Sequence, residues 1–270
     1  MAETKAMTFL LLGKNEENTD TIILAQVNPQ KKKITFISLP RDLYYRGRRI
    51  NQLAQRGFEH CLKELSYLTG VPLEKYALVD VYSLISIIDL LGGIDIYLPE
   101  DLIDPSYRIK ENGVWQTLAY PRGYYHLNGV QAMRIIRSRA TTSDFKRSYR
   151  QQLILEALFK KIKEECAQDL NKALKLATLL ISYLKTNISP LEAVQYFSLF
   201  KEYQFTQPYL IDTSNILEQT WSSLLLASDE EKERLLNEGT QEELGAWILV
   251  PKDNNWDLLR SYIKSVLLAP

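Results

Sequence analysis

The start of the chain repeats one pattern: a short apolar, often β-branched run closed by a turn former. Residues 8–12 end at Gly13, 21–27 at Asn28–Pro29, and 33–39, with Ile34, Phe36 and Ile37 apolar, at Pro40. Runs of this length between Gly, Pro and Asn predict strands. The period then lengthens. Leu53, Phe58, Leu62, Leu65 and Leu68 recur every three to four residues or so, predicting one helix over 51–68 that Gly70 and Pro72 end. A strand at 76–81, a helix at 83–91, the Gly92–Gly93 break and a strand at 94–98 follow. Strands alternating with helices predict an α/β sheet covered by helices.

Residues 99–127 fit neither period. The stretch is rich in Pro, Gly, Tyr and Asn and is expected to be a long functional loop. Beyond it the helical period dominates: 129–136, then 145–164 with Phe145, Tyr149, Leu153, Leu158 and Ile162 on one stripe, then 170–184 and 190–200. Asp144 stands where the N-cap of the long helix is expected. A strand at 209–211, helices within 215–238, a strand at 247–250 and a helix to 267 complete the pattern. With no repeat and no linker in the pattern, residues 1–270 are expected to form a single domain, with a helical part over about 168–270.

Charge narrows the function classes. Lys plus Arg and Asp plus Glu both number 33, so net charge is zero, which argues against a nucleic-acid coat or a polybasic membrane anchor. No apolar run approaches the roughly 18–20 residues that cross a bilayer, and Met1 to Met7 lacks the layout of a signal peptide. The expectation is a soluble chain, either free or the soluble part of an anchored protein. Cys61 and Cys166 are too few for a disulfide framework and are expected to be buried thiols. His60 and His126, with these two cysteines, do not make a zinc site.

The informative chemistry is a concentration of arginine. Pro40–Arg41–Asp42 follows a strand directly, where open α/β sheets commonly bind ligands. Arg137–Ser138–Arg139 is followed by Asp144, Arg147, Arg150 and Gln151 near the start of the long helix, where the helix dipole favours anions. Guanidinium forks bind phosphate oxygens two at a time and stay charged when desolvated. The array suits a multiply charged, oxygen-rich anion. Solvated arginines pairing with residues such as Asp144 and Glu156 are the plainer account of the same pattern.

At these residues the chain resembles the LytR–CpsA–Psr family. The likeness runs through Asp20–Thr21–Ile22–Ile23–Leu24, Val27–Asn28–Pro29, Ile37–Ser38–Leu39–Pro40–Arg41–Asp42, Ile50–Asn51 and Ile88–Asp89–Leu90–Leu91–Gly92–Gly93–Ile94. It continues in Gly123, His126–Leu127–Asn128–Gly129–Val130–Gln131–Ala132, Arg137–Ser138–Arg139, Asp144, Arg147 and Arg150–Gln151–Gln152, and covers roughly 8–165. The resemblance implies a central mixed sheet flanked by helices, an αβα sandwich, with an apolar tunnel for a polyprenyl chain. It implies a phosphotransferase that moves a glycopolymer from a polyprenyl-pyrophosphate carrier to a cell-wall hydroxyl, with pyrophosphatase side activity. The domain would stand on the extracytoplasmic face of the membrane, behind an N-terminal anchor.

By position, Arg41, Arg137, Arg139 and Arg147 would grip the pyrophosphate, with Arg150 and Gln151 close behind. Asp144 and Asp42 would orient arginines, and Asp20 would hold Mg2+; Arg41, Arg139 and Asp20 are the implied catalytic residues. One departure bears on the metal. The family shows Gly-x-Asp after its first strand, whereas this chain has Gly13–Lys14–Asn15, an amide for a carboxylate. Asn15 would then be the second metal ligand, and Lys14 offers a charge that could neutralise phosphate directly. The same departure admits an alternative, a non-catalytic polyprenyl-phosphate or wall-polymer binding protein. A nucleic-acid binder is disfavoured by neutral charge and by the lack of a basic stripe with interleaved aromatics.

Overall fold

The computed structural model describes residues 6–15, 18–111, 113–138, 144–166 and 170–268, apart from the side chains of Glu111, Asp144 and Phe145. The strands β1 (Met7–Asn15), β2 (Asn18–Asn28) and β3 (Lys33–Leu39) form a meander. The small hairpin β4 (Tyr44–Tyr45) and β5 (Arg48–Arg49) leads into a 3-10 turn (Ile50–Arg56) and α1 (Phe58–Thr69). Next come β6 (Lys75–Asp80), α2 (Val81–Leu90), β7 (Ile94–Leu98), β8 (Leu102–Glu111), β9 (Val114–Tyr120) and β10 (Gly123–Leu127). The helices α3 (Gly129–Arg137), α4 (Asp144–Cys166), α5 (Leu170–Ser182) and α6 (Pro190–Phe200) follow, with β11 (Lys185–Thr186) before α6. The chain ends through β12 (Gln204–Phe205), β13 (Tyr209–Leu210), β14 (Leu217–Trp221), α7 (Asp229–Glu238), α8 (Gln241–Leu244), β15 (Trp247–Pro251) and α9 (Trp256–Leu268). No described helix is long and apolar enough to cross a membrane.

Among the described residues seven strands make one mixed sheet in the order β11-β6-β1-β2-β3-β12, with β13 also on β3. Alternation along the strands gives the sheet two apolar faces. Leu10, Leu12, Ile22, Leu24, Ile37 and Leu39 point to one side, where they pack with Leu62, Leu65 and Leu68 of α1 and Leu259 and Ile263 of α9. Phe9, Val27, Ile34 and Phe36 point to the other and meet Phe159 of α4 and Phe200 of α6. A further cluster joins α2, α3, α4 and β7 through Ile88, Ile135, Ile154 and Ile94. Helices on both faces give the expected αβα sandwich.

Three expectations need correction. The helix 51–68 is two pieces, because Gly57 adopts φ 102° between the 3-10 turn and α1. The supposed loop 99–127 is mostly strand: β8 pairs with β9 and β10 with β7. Pro105 and Gly113 conceal this, since Pro105 falls in a bulge between Asp104 and Arg108 and Gly113 makes the turn at φ 81°. Part of 215–238 is also strand, β14 against β15. Cys61 is buried, which pushes its thiol up to about 12, and Cys166 is half-buried; both are free.

Candidate functional site

Strand direction creates one functional edge. β1 is parallel to β6 and antiparallel to β2, and β2 is antiparallel to β3, so β1, β3 and β6 all end at the same side of the sheet. Ligands of open α/β sheets bind at such carboxyl edges. Here a cavity of about 180 Å3 lies between the ends of β1 and β6, the start of β2, and the helices α2, α3 and α4. Its polar lining is Lys14, Asn15, Asp20, Thr21, Asp80, Arg137, Arg147 and Gln151, over Val79, Val81, Leu84 and Ile136. That volume is below the roughly 300 Å3 at which drug-sized pockets begin, so it suits a head group.

The local reasons for this convergence are specific. Gly13 is required because a Cβ there would stand 2.9 Å from Cβ of Thr21 on the neighbouring strand. A register shift follows at once between Gly13 and Lys14. Asp80 ends β6 and caps α2: its Oδ1 accepts the Ser83 backbone N–H at 2.8 Å and its Oδ2 the Ser83 hydroxyl at 2.9 Å. Burial alone would raise this carboxyl, but those hydrogen bonds and the charge of Lys14 hold it below its usual value. Arg147 and Gln151 are one turn apart on α4, and Arg137 is the last residue of α3.

Arg41 stands beside the cavity, tied to it through Asp20. Its Nη1 donates to Asp20 Oδ1 at 2.6 Å, and its Nε is 3.4 Å from Asp42 Oδ2. Burial works to lower the Arg41 pKa, yet the Asp20 hydrogen bond and the charges of Asp42 and Asp20 win and raise it. Asp42 also lies 3.4 Å from Arg49 Nε. Asp42 thus lies between two arginines, Arg41 and Arg49. Arg139 and the side chain of Asp144 lie outside the described residues.

Arg150 requires correction. It does not line the cavity; it is 5% exposed and its guanidinium turns inward. Nε donates to the Ile135 carbonyl at 3.0 Å and Nη2 to the Ser138 carbonyl at 2.7 Å. Desolvation lowers its pKa from the usual arginine value. Sequence reasoning also missed Asp104, 2% exposed, whose Oδ2 accepts the Ser138 hydroxyl at 2.7 Å. Arg150 and Asp104 thus fix the end of α3 from which Arg137 projects. Gln152, beside Gln151, is 1% exposed and donates to Ser38 Oγ at 2.7 Å, pinning α4 to β3. Asp80 was missed as well; a carboxylate between a strand and an apolar helical stretch was the available signal.

The donors were tested for Mg2+, which favours near-octahedral oxygen coordination. Asn15 offers a neutral amide, one oxygen of Asp20 faces Arg41, both oxygens of Asp80 face Ser83, and the ammonium of Lys14 shares the cavity. No group of three or more Asp, Glu, His or Cys able to hold a metal occurs among the described residues. The described residues do not fit a resident magnesium ion.

Known proteins share this architecture. The model of the LytR_cpsA_psr family matches residues 1–235. Polyisoprenyl-teichoic acid–peptidoglycan teichoic acid transferase TagV of Bacillus subtilis is 27% identical over 63% of this chain and 45% of its own. The chain spans about half the length of the curated relatives it matches. The crystal structure of B. subtilis TagV superposes with a TM-score of 0.70 at 20% identity, covering 99% of this chain and 98% of that one. TagT bound to LIIa-WTA superposes with a TM-score of 0.67 at 17% identity, covering 98% of this chain and 90% of that one. With the family model matched across most of its length, the chain belongs to the LytR–CpsA–Psr family.

Proposed function

We propose that the cavity receives the pyrophosphate of a polyprenyl-linked glycan, and that the chain transfers the glycan phosphate to a hydroxyl of a cell-wall polymer. The observation that carries this reading is the convergence of Arg137, Arg147 and Gln151 from two helices with Asn15 and Asp20 from two strands on one small cavity. The named activity of TagV and the LIIa-WTA bound by TagT support the substrate class. In the reaction an acceptor hydroxyl attacks the phosphorus that bears the glycan. A new P–O bond forms, the bridging P–O bond breaks, and polyprenyl phosphate leaves with the bridging oxygen. The hydroxyl proton passes to a carboxylate, for which Asp20 is the lining candidate.

Arginines aimed at non-bridging oxygens stabilise charge that develops during such a transfer, which asks for positioning more than covalent chemistry. The reading also calls for an apolar tunnel for the polyprenyl chain, each buried methylene contributing about 0.8 kcal/mol. Its candidate wall is the sheet face that Leu11 and Ile23 share by register with Phe36, which packs in one cluster with Phe159 of α4. The reading places the chain on the extracytoplasmic face of the membrane and needs no nucleic acid.

Asn15 on the cavity wall favours a second reading, a protein that binds the carrier without turnover. One assay separates the two. The chain is incubated with a polyprenyl-pyrophosphate glycan and peptidoglycan, and release of polyprenyl phosphate is followed. Turnover that falls by about 10²–10³ in Arg137→Ala is the expected result, the size seen when one charge-stabilising donor is removed. Binding with no turnover selects the second reading, and neither binding nor turnover overturns both.

A further inference from the structure

Lys14 is held in place by sheet pairing on two sides. β1 sets it opposite Thr19 of β2 and opposite Asp80 of β6, just past the register shift at Gly13. It lines the cavity, and its charge is felt at Asp80. Asp80 accepts the Ser83 backbone N–H and hydroxyl and forms no ion pair with Lys14. Asp20, the other acidic lining residue, has Arg41 at 2.6 Å. Lys14 therefore makes no ion pair or side-chain hydrogen bond with a described residue, and the same holds for Arg137 across the cavity.

A strongly hydrated ammonium held on a fixed backbone beside a cavity, where the described lining carboxylates Asp20 and Asp80 have other partners, is a ready donor to anionic oxygen. A pyrophosphate diester carries one negative charge on each phosphorus. It would meet two cations that have no ion-pair partner among the described residues, Lys14 from the strand layer and Arg137 from the helix layer. We infer that Lys14 is a pyrophosphate-binding residue, and that its ammonium supplies at this cavity the neutralising charge for which the lining donors do not fit magnesium. The inference rests on the pyrophosphate reading above and assigns one further residue to that site.

The test uses the whole chain with farnesyl pyrophosphate as the probe, in EDTA and in excess MgCl2, for the natural protein, Lys14→Gln, Lys14→Arg and Arg137→Ala. The natural protein is expected to bind equally well in both buffers. Lys14→Gln weakens binding in both by about 10- to 100-fold, the worth of one hydrogen bond to a charged group. Lys14→Arg, which keeps the charge, retains most of the affinity. If Lys14→Gln does not fold, Lys14→Arg is read alone: affinity kept supports the inference, and affinity lost in a folded protein overturns it. Binding that requires magnesium, or that Lys14→Gln leaves unchanged while Arg137→Ala abolishes it, overturns the role of Lys14 and leaves the pyrophosphate reading standing. No binding to the natural protein in either buffer overturns both.

Discussion

Burial divides the arginines of this chain. Arg137 is exposed at the cavity, whereas Arg150 is 5% exposed and satisfies two backbone carbonyls. The types and order of these residues were readable in the sequence; the direction each side chain takes was not, because it depends on where α3 stops and α4 begins. Of the residues singled out in advance, Asn15, Asp20, Arg137, Arg147 and Gln151 line one cavity. Asp104 escaped notice because a lone carboxylate at a bulge has no signature until its partners are known, and the one signal for Asp80 was its place before an apolar helical stretch. Arg150→Ala is expected to destabilise the fold by about 2–6 kcal/mol, roughly 1–3 for each stranded carbonyl. Chemical denaturation measures this, and a change within 0.5 kcal/mol or so would show the guanidinium to be dispensable there. Gly13→Ala forces a Cβ toward Thr21 and should cost about 1–3 kcal/mol of overpacking. An unchanged denaturation midpoint would mean that the two strands can part freely.

At the scale of elements, helix contact is set by glycine. A Cβ on Gly129 would lie 2.3 Å from the Ile85 carbonyl oxygen, so α3 packs its first turn directly on the backbone of α2. Gly129→Ala should splay the two helices, costing about 1–3 kcal/mol or more, since backbone cannot step aside as a side-chain tip can. Because α2 and α3 carry two walls of the cavity, ligand affinity should fall with it. A variant as stable as the parent would contradict the close contact.

The turn between α2 and β7 depends on a histidine. His126 Nδ1 lies 2.7 Å from Asp95 Oδ1 and Nε2 2.9 Å from the Gly92 carbonyl. Both partners are acceptors, so the doubly protonated ring is favoured and its pKa is raised, chiefly by Asp95. A pKa higher in the folded state than in the unfolded one gives stability that is full below the ordinary histidine range and lost as pH rises through the raised value. The thermal midpoint should therefore decline across that window, and His126→Gln should remove the decline. An identical pH profile in the variant would show the pair to be inert. The Gly92–Gly93 break was legible from sequence, but the histidine that secures it lies on β10, inside the stretch read as loop.

Across the whole molecule, the first strands and the last helix share a core. Leu10 and Leu24 belong to the same cluster as Leu259 and Ile263, and on the other face Val27 packs near Phe200. The chain is accordingly predicted to unfold in one cooperative step, with tryptophan fluorescence and circular dichroism reporting coincident transitions. Two separated transitions would indicate that the C-terminal part folds apart. Sheet and sandwich were readable because alternation and helical period survive in single segments. The two-residue strands β11 and β12 were not, since they exist only through pairing with β6 and β3, whereas the strand expected at 209–211 is β13.

The central claim is that the cavity at the carboxyl edge of the sheet holds a pyrophosphate. A crystal structure of the chain with a polyprenyl pyrophosphate tests it most directly. The phosphates should lie within hydrogen-bonding distance of Arg137, Arg147 and Lys14, with the prenyl chain running over Leu11 and Ile23. Phosphates lodged elsewhere, for instance in the groove beside Tyr67 and Arg260 on the opposite helical layer, would contradict it.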